Sequence, residues 1–350
     1  MEIKDTISVK RGGVNEKVFL YSEIDELYPQ SIIVNRTLNK IRSDINVWVE
    51  SDILKQINVE ILVEDTDIIN ACATKKKDNK YYIIVTRGLL LVGYNEISNF
   101  LDSTQCSDVY HLSIENIEVM TKQMYSTMIT FIVAHEFGHI VDGHIDSRYK
   151  SSFYLDEINC DEIDEKWETQ LREYDADRFA TKICSGIFLI LYKGSPKMIK
   201  ESFDNLGIVL LLIFNMLSKS RQSTFDEYMI LNIYDMDHPH PGIRMHYCFV
   251  TMISVLLNEI NQEEVKEIAS YITDGIVRAD KYILYKEKYK ECVYAVATTK
   301  KGAQHIMQLV NDWNEVADFY DEYSFIPIQK TDYIEFYPYT VDKEGNFIIE

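Results

Sequence analysis

The run from Met124 to His144, MYSTMITFIVAHEFGHIVDGH, limits the fold more than any other part of this 350-residue chain. Met124, Met128, Ile129, Phe131, Ile132, Phe137, Ile140 and Val141 make it mostly apolar, which predicts a helix that crosses a domain core. Gly143 is its stop signal. Residues four apart lie one turn above each other, so the rings of His135 and His139 project from one helical face, the spacing of two metal ligands. Glu136, one step round the helix, would stand beside a metal and not on it, where a carboxylate can take a proton from bound water. Gly138 should cost about 1 kcal/mol against Ala in an ordinary helix. Its presence predicts that another backbone or the metal site approaches closely.

The rest of the composition bounds the class. Hydrophobic residues make up 46% of the chain, enough to fill the core of one large domain or two ordinary ones. The formal charge of −20 would repel polyphosphate, so no nucleic-acid or anionic-membrane surface is expected. Six scattered cysteines without a CxxC pair are expected to be reduced core thiols. The start, MEIKDTISVKRGG, lacks the apolar stretch of a secretory signal. The most apolar runs, Gly186 to Tyr192 and Leu206 to Phe214, are shorter than the ~20 residues that span a bilayer. A soluble cytoplasmic protein with no membrane span is the expectation.

Residues 41–49 suit a helix end or a strand. Strand-like alternation begins at Ile57, with further apolar runs at 68–73 and 81–86 around the basic turn Lys75 to Lys80, which predicts an antiparallel hairpin. A helix is expected to start near Gly88. His111, in a polar insertion, is expected at the surface, and the acidic segment Asp156 to Glu165 as a solvated helix start or lid.

Leu171 to Ala180 supplies what two histidines lack. Catalytic zinc sites use three protein ligands and leave the fourth position to water, and Glu173 is the choice for the third. Asp177, four residues on, could accept the free ring N–H of a zinc histidine. Asp175 should point elsewhere, and Ala176 is small enough to let this helix lie against the first. His144 misses a ligand spacing by one residue and is expected to be a partner of the helix dipole. This second helix should run to Leu191, and Leu206 to Leu217 should form another core helix. The loop Asp235 to Arg244 carries two prolines and a glycine and should be rigid. There, His238 could donate to a developing oxyanion or fill the fourth metal position and hold the site closed. His240 and His246 are given no role. Residues 263–297 and 302–320 suit amphipathic surface helices, with His305 as polar decoration, and 333–349 a terminal hairpin.

Four stretches together resemble the HtpX-type and CAAX-prenyl-protease-type gluzincin metallopeptidases. They are Ile69-Asn70-Ala71 with Ile84 to Leu90; His135 to His139; Glu173-x-x-Ala176-Asp177; and His238-Pro239 with Arg244 six residues on. The resemblance covers roughly residues 57–246. It implies an α+β, mainly helical fold, with a zincin-like core and a small antiparallel sheet whose edge strand borders the cleft. It places a metallopeptidase domain at 57–250; outside the resemblance, an N-terminal accessory region is expected at 1–56 and a C-terminal helical region with a terminal β-hairpin at 251–350. It further implies one Zn2+ held by His135, His139 and Glu173, Glu136 as general base and acid, and Asp177 behind the ligands. Asn70 and Ala71 would bind an extended protein or peptide substrate by strand addition, and His238 and Arg244 would flank the oxyanion or the third-ligand helix. Neighbouring gluzincins of the repressor-cleaving ImmA type and the phage-exclusion Lit type share part of this pattern. A non-catalytic zinc-stabilised binding module is the alternative from another class.

Overall fold

The computed structural model describes residues 3–11, 14–49, 54, 57–76, 80–103, 114–147, 165–218, 224–331, 339–341 and 347–349. His111 and nearly all of the acidic segment at 156–165 lie outside them, as does much of the C-terminal tail. The described strands of that tail, β6 (Tyr339–Val341) and β7 (Phe347–Ile349), pair antiparallel as the terminal hairpin requires.

Among the described residues the fold is mainly helical with one five-stranded sheet, an α+β arrangement. The strands are β1 (Ile3–Arg11), β2 (Val14–Tyr21), β3 (Val59–Glu64), β4 (Ala71–Lys75) and β5 (Tyr81–Thr86), in the spatial order β1-β2-β3-β5-β4. The sheet is mixed, which corrects the antiparallel expectation. β4 and β5 do form an antiparallel pair, Ala71 opposite Val85, but β3 and β5 run parallel, with Val59 opposite Tyr81. Burial explains the order. Every residue of β5 is buried, so it takes an interior position between β3 and β4, whereas β4, Ala-Cys-Ala-Thr-Lys, has no residue that demands full burial and forms the edge.

Residues 41–49 belong to a helix, α1 (Ser31–Val49), and not to a strand. Thr86 caps α2 (Arg87–Leu101), its hydroxyl accepting from the Leu89 N–H. The predicted central helix is α3 (Ile114–Val141), and from Met124 to Val141 its apolar side chains are buried on all sides. It packs against α2, against β4 and along α4 (Glu165–Leu191). A Cβ on Gly138 would stand 3.1 to 3.3 Å from the Phe179 side chain, so the close neighbour is an α4 side chain. Ala176 is fully buried beside it.

The second layer is α5 (Pro196–Ser218) against α8 (Gln262–Glu287), with Gly207 and Gly275 allowing close contact. Among the described residues α5 is the one helix long and apolar enough to cross a membrane, and 78% of its most apolar window is buried against its neighbours. Between these helices lie the short α6 (Phe225–Ile230) and α7 (Pro241–Glu259). Helix α9 (Lys300–Asp321) and the segment after it close over the end of α3, where the Phe325 N–H donates to Val141 O at 2.7 Å. Gly143, at φ +75°, turns the chain there, and a Cβ on it would fall 2.6 Å from the Tyr323 carbonyl carbon.

Candidate metal centre

The α3 and α4 helices cross so that His135, His139 and Glu173 converge. One donor atom from each lies within 4.8 Å of the others. His135 Nε2 and His139 Nε2 are 3.2 Å apart, and each lies 3.6 Å from a Glu173 oxygen. Two imidazole nitrogens and a carboxylate oxygen are the donor set that suits a borderline divalent ion such as zinc. These residues could hold a metal ion.

Charged groups of both signs meet at the site. Burial opposes charge on Glu173, yet His238, His135, His139 and Arg244 around it hold its carboxyl well below the usual range. Burial likewise opposes a charge on His135, but Glu173 and Asp177 hold its value up at about 9, while burial pushes His139 down to about 3. Burial, reinforced by the Glu173 charge, pushes Glu136 up to about 7.

Asp177 stands at the centre of the supporting network. It is fully buried, and its Oδ1 lies 2.8 Å from His135 Nδ1. Arg244 donates to both of its oxygens at 2.8 Å, and Tyr247 donates to Oδ2 at 2.5 Å. Arg244 also reaches Glu173 Oε2 at 3.2 Å, and its guanidinium lies 4.5 Å over the Phe214 ring. It therefore holds the helix that carries Glu173, through ion pairs with Asp177 and Glu173. Tyr247, which sequence reasoning missed, is three residues after Arg244 and so shares its helical face.

His238 Nε2 lies 3.6 Å from Glu173 Oε1 but outside the convergent group of three. Its loop is fixed from behind. Gln170 donates to the Ile233 and Met236 carbonyls at 2.8 and 2.7 Å, and its Oε1 is 2.9 Å from His305 Nε2. His305 is fully buried, with its Nδ1 3.1 Å from the Tyr228 hydroxyl. This corrects its assignment as surface decoration: it sits on the buried stripe of α9, about two turns before Trp313. His240 caps α7, its Nδ1 accepting from the Gly242 N–H, and His246 meets Tyr294.

Burial pushes His305 down to about 3, so the folded protein holds it neutral. The unfolded chain binds that proton near pH 6.5, so the stabilisation is present above that pH and is lost as pH falls towards 3. The slope is about 1.4 kcal/mol per pH unit. Urea unfolding at pH 7 and pH 5 is expected to show His305→Gln losing about 2 kcal/mol less than wild type over that interval. An identical pH dependence in the two proteins would contradict it.

On the other side of the donor group lies the edge strand. Asn70 bonds Thr86 and Lys76 bonds Lys80, so even-numbered residues of β4 face β5 and the backbone groups of Ala71, Ala73 and Lys75 face away. The Ala73 N–H donates to the Glu136 carboxylate. Ala71 is thus on the outward register, and Asn70 is turned towards β5; Ala73, which the sequence did not single out, is the strand residue that touches Glu136. Lys75 pairs with Asp146 at 2.6 Å, tying the strand to the turn after α3.

Asp175 is outside the converging group. It faces His144 at 3.4 Å and a second buried carboxyl, Asp142. His144 is buried, and its Nδ1 lies 2.9 Å from His139 Nδ1, so its partner is the metal-site ring and not a helix dipole. No spacing rule reveals this, because the chain reverses at Gly143.

A cavity of ≈ 140 Å³ opens beside His238 and Arg244, walled by Phe214, Leu217, Leu231 and Met236. In comparisons with known proteins, no family model, curated protein or solved structure matches this chain.

Proposed function

We propose that this chain is a zinc-dependent endopeptidase that hydrolyses a peptide bond in a protein or peptide substrate. The observation that carries the proposal is the convergence of His135, His139 and Glu173 with Glu136 beside them and an outward-facing strand edge alongside. When bound, zinc supplies Lewis-acid polarisation of a carbonyl and of water. The chain supplies the rest. Ala71 and Ala73 offer outward backbone groups that would hold an extended substrate as an added strand. Glu136, outside the donor group, would take a proton from the attacking water at its carboxylate and return it to the leaving amine.

His238, on a loop held by Gln170, would donate to the carbonyl oxygen as charge develops there. Arg244 and Tyr247 orient Asp177, which in turn fixes the His135 ring through its Nδ1. The cavity walled by Phe214, Leu217 and Met236 would receive a substrate side chain next to the scissile bond. Digestion of a broad peptide library tests the proposal. Cleavage by the zinc-loaded wild type, lost with a chelator and restored by zinc, is expected. Zinc binding without cleavage of any peptide would favour a non-catalytic zinc-stabilised module.

A further inference from the structure

The two metal-site histidines are supported differently. His135 turns its Nδ1 to a carboxylate, Asp177. His139 turns its Nδ1 to another histidine, His144, at 2.9 Å, and His144 Nε2 in turn lies 3.4 Å from Asp175 Oδ2. We propose that His144 is a positioning residue for the metal-ligating ring of His139, and that the C-terminal helix α9 acts on the metal site through it. The inference rests on the metal-centre reading above.

With a metal on His139 Nε2, the geometry orders the protons outward along the chain of groups. His139 Nε2 faces His135 and Glu173, so its lone pair is the one available to a metal. Its ring proton is then on Nδ1 and must be donated to His144 Nδ1, which accepts. That leaves the His144 proton on Nε2, which lies 3.4 Å from Asp175 Oδ2. Asp142 hydrogen-bonds Asp175 behind it. Each ring's tautomer is set by the next group outward, as the partner of a metal-bound histidine does.

Packing holds His144 in that pose. Gly143 adopts a left-handed conformation that brings His144 back over the helix end, and the backbone of Tyr323 and Ser324 leaves no room for a side chain at 143. Trp313 and Tyr320 of α9 then enclose the His144 ring edge-on, with centroids 5.8 and 5.1 Å away. The His139 ring lies on another side at 5.1 Å. A helix some 170 residues away in sequence thus reaches the donor group through a single imidazole.

Zinc affinity of the full chain, measured by competition with a chromogenic chelator, tests this without any substrate. His144→Phe fills the space but cannot accept a hydrogen bond, and His144→Ala neither fills nor accepts. His144→Asn restores an acceptor oxygen near the Nδ1 position. Phe and Ala are expected to weaken zinc binding about 10- to 100-fold, and Asn to recover most of that loss. Thermal melting identifies the variants that fold. A folded Phe or Ala variant that binds zinc as tightly as wild type overturns the inference, as does an Asn variant no better than they are. Independently of any variant, zinc-loaded wild type labelled with ¹⁵N-histidine should show a His139 Nδ1 proton coupled to His144 Nδ1, and its absence overturns the inference too. Wild type that binds no zinc would instead remove the metal-centre reading itself.

Discussion

Glu136→Gln is expected to keep one zinc per chain while peptide-bond cleavage falls by at least about 10²- to 10⁴-fold. The substitution preserves shape, and a glutamine oxygen can still accept from the Ala73 N–H that the carboxylate accepts now. None of the three converging donors is altered. What is lost is the ability to take a proton from water. Burial and the nearby Glu173 push the Glu136 carboxyl up to about 7, towards the range where a group can both accept and return a proton near neutral pH. Zinc analysis and library digestion on the same preparations check the result. Cleavage by Glu136→Gln at the wild-type rate would remove this mechanism.

Asp177→Ala should have the largest effect on folding. Asp177 lies between His135, Arg244 and Tyr247, and burial is opposed there by the Arg244 and His135 charges, which hold its carboxyl below the usual range. Removing it leaves the buried Arg244 guanidinium with Glu173 as its remaining carboxylate, and the Tyr247 hydroxyl without its acceptor. Loss of one partner from a buried charge pair costs about 3 to 5 kcal/mol. A drop of that size in urea unfolding of the zinc-free protein is the expected outcome, so the loss is separable from any loss of metal affinity. Asp177→Asn retains an acceptor and should lose less. If Asp177→Ala unfolds at the wild-type midpoint, the network does not carry the load assigned to it.

Much of the site was legible because it is local to two helices. His135, Glu136 and His139 follow from helical spacing on an apolar helix, and Glu173, Ala176 and Asp177 repeat that logic on the next. The core helices follow from periodicity and from glycine and proline positions, whereas the α+β class was what the resemblance of the motifs implied. What escaped depends on tertiary return of the chain. The parallel pairing of β3 with β5 was hidden because β4 intervenes in sequence but lies outside in space. His144 escaped because a left-handed glycine reverses its direction, and His305 because a single histidine on an amphipathic helix does not say which face it is on. Ala73 escaped because its contribution is a backbone N–H, which every residue carries.

The central claim is that His135, His139 and Glu173 form one metal centre. Metal content by elemental mass spectrometry, on wild type and Glu173→Ala purified without chelator and then offered equal zinc, tests it most directly. The proposed zinc centre predicts one zinc per wild-type chain retained through gel filtration, and well under one for a folded Glu173→Ala. Wild type that neither retains nor takes up zinc, or a Glu173→Ala that holds it as firmly as wild type, would contradict the account.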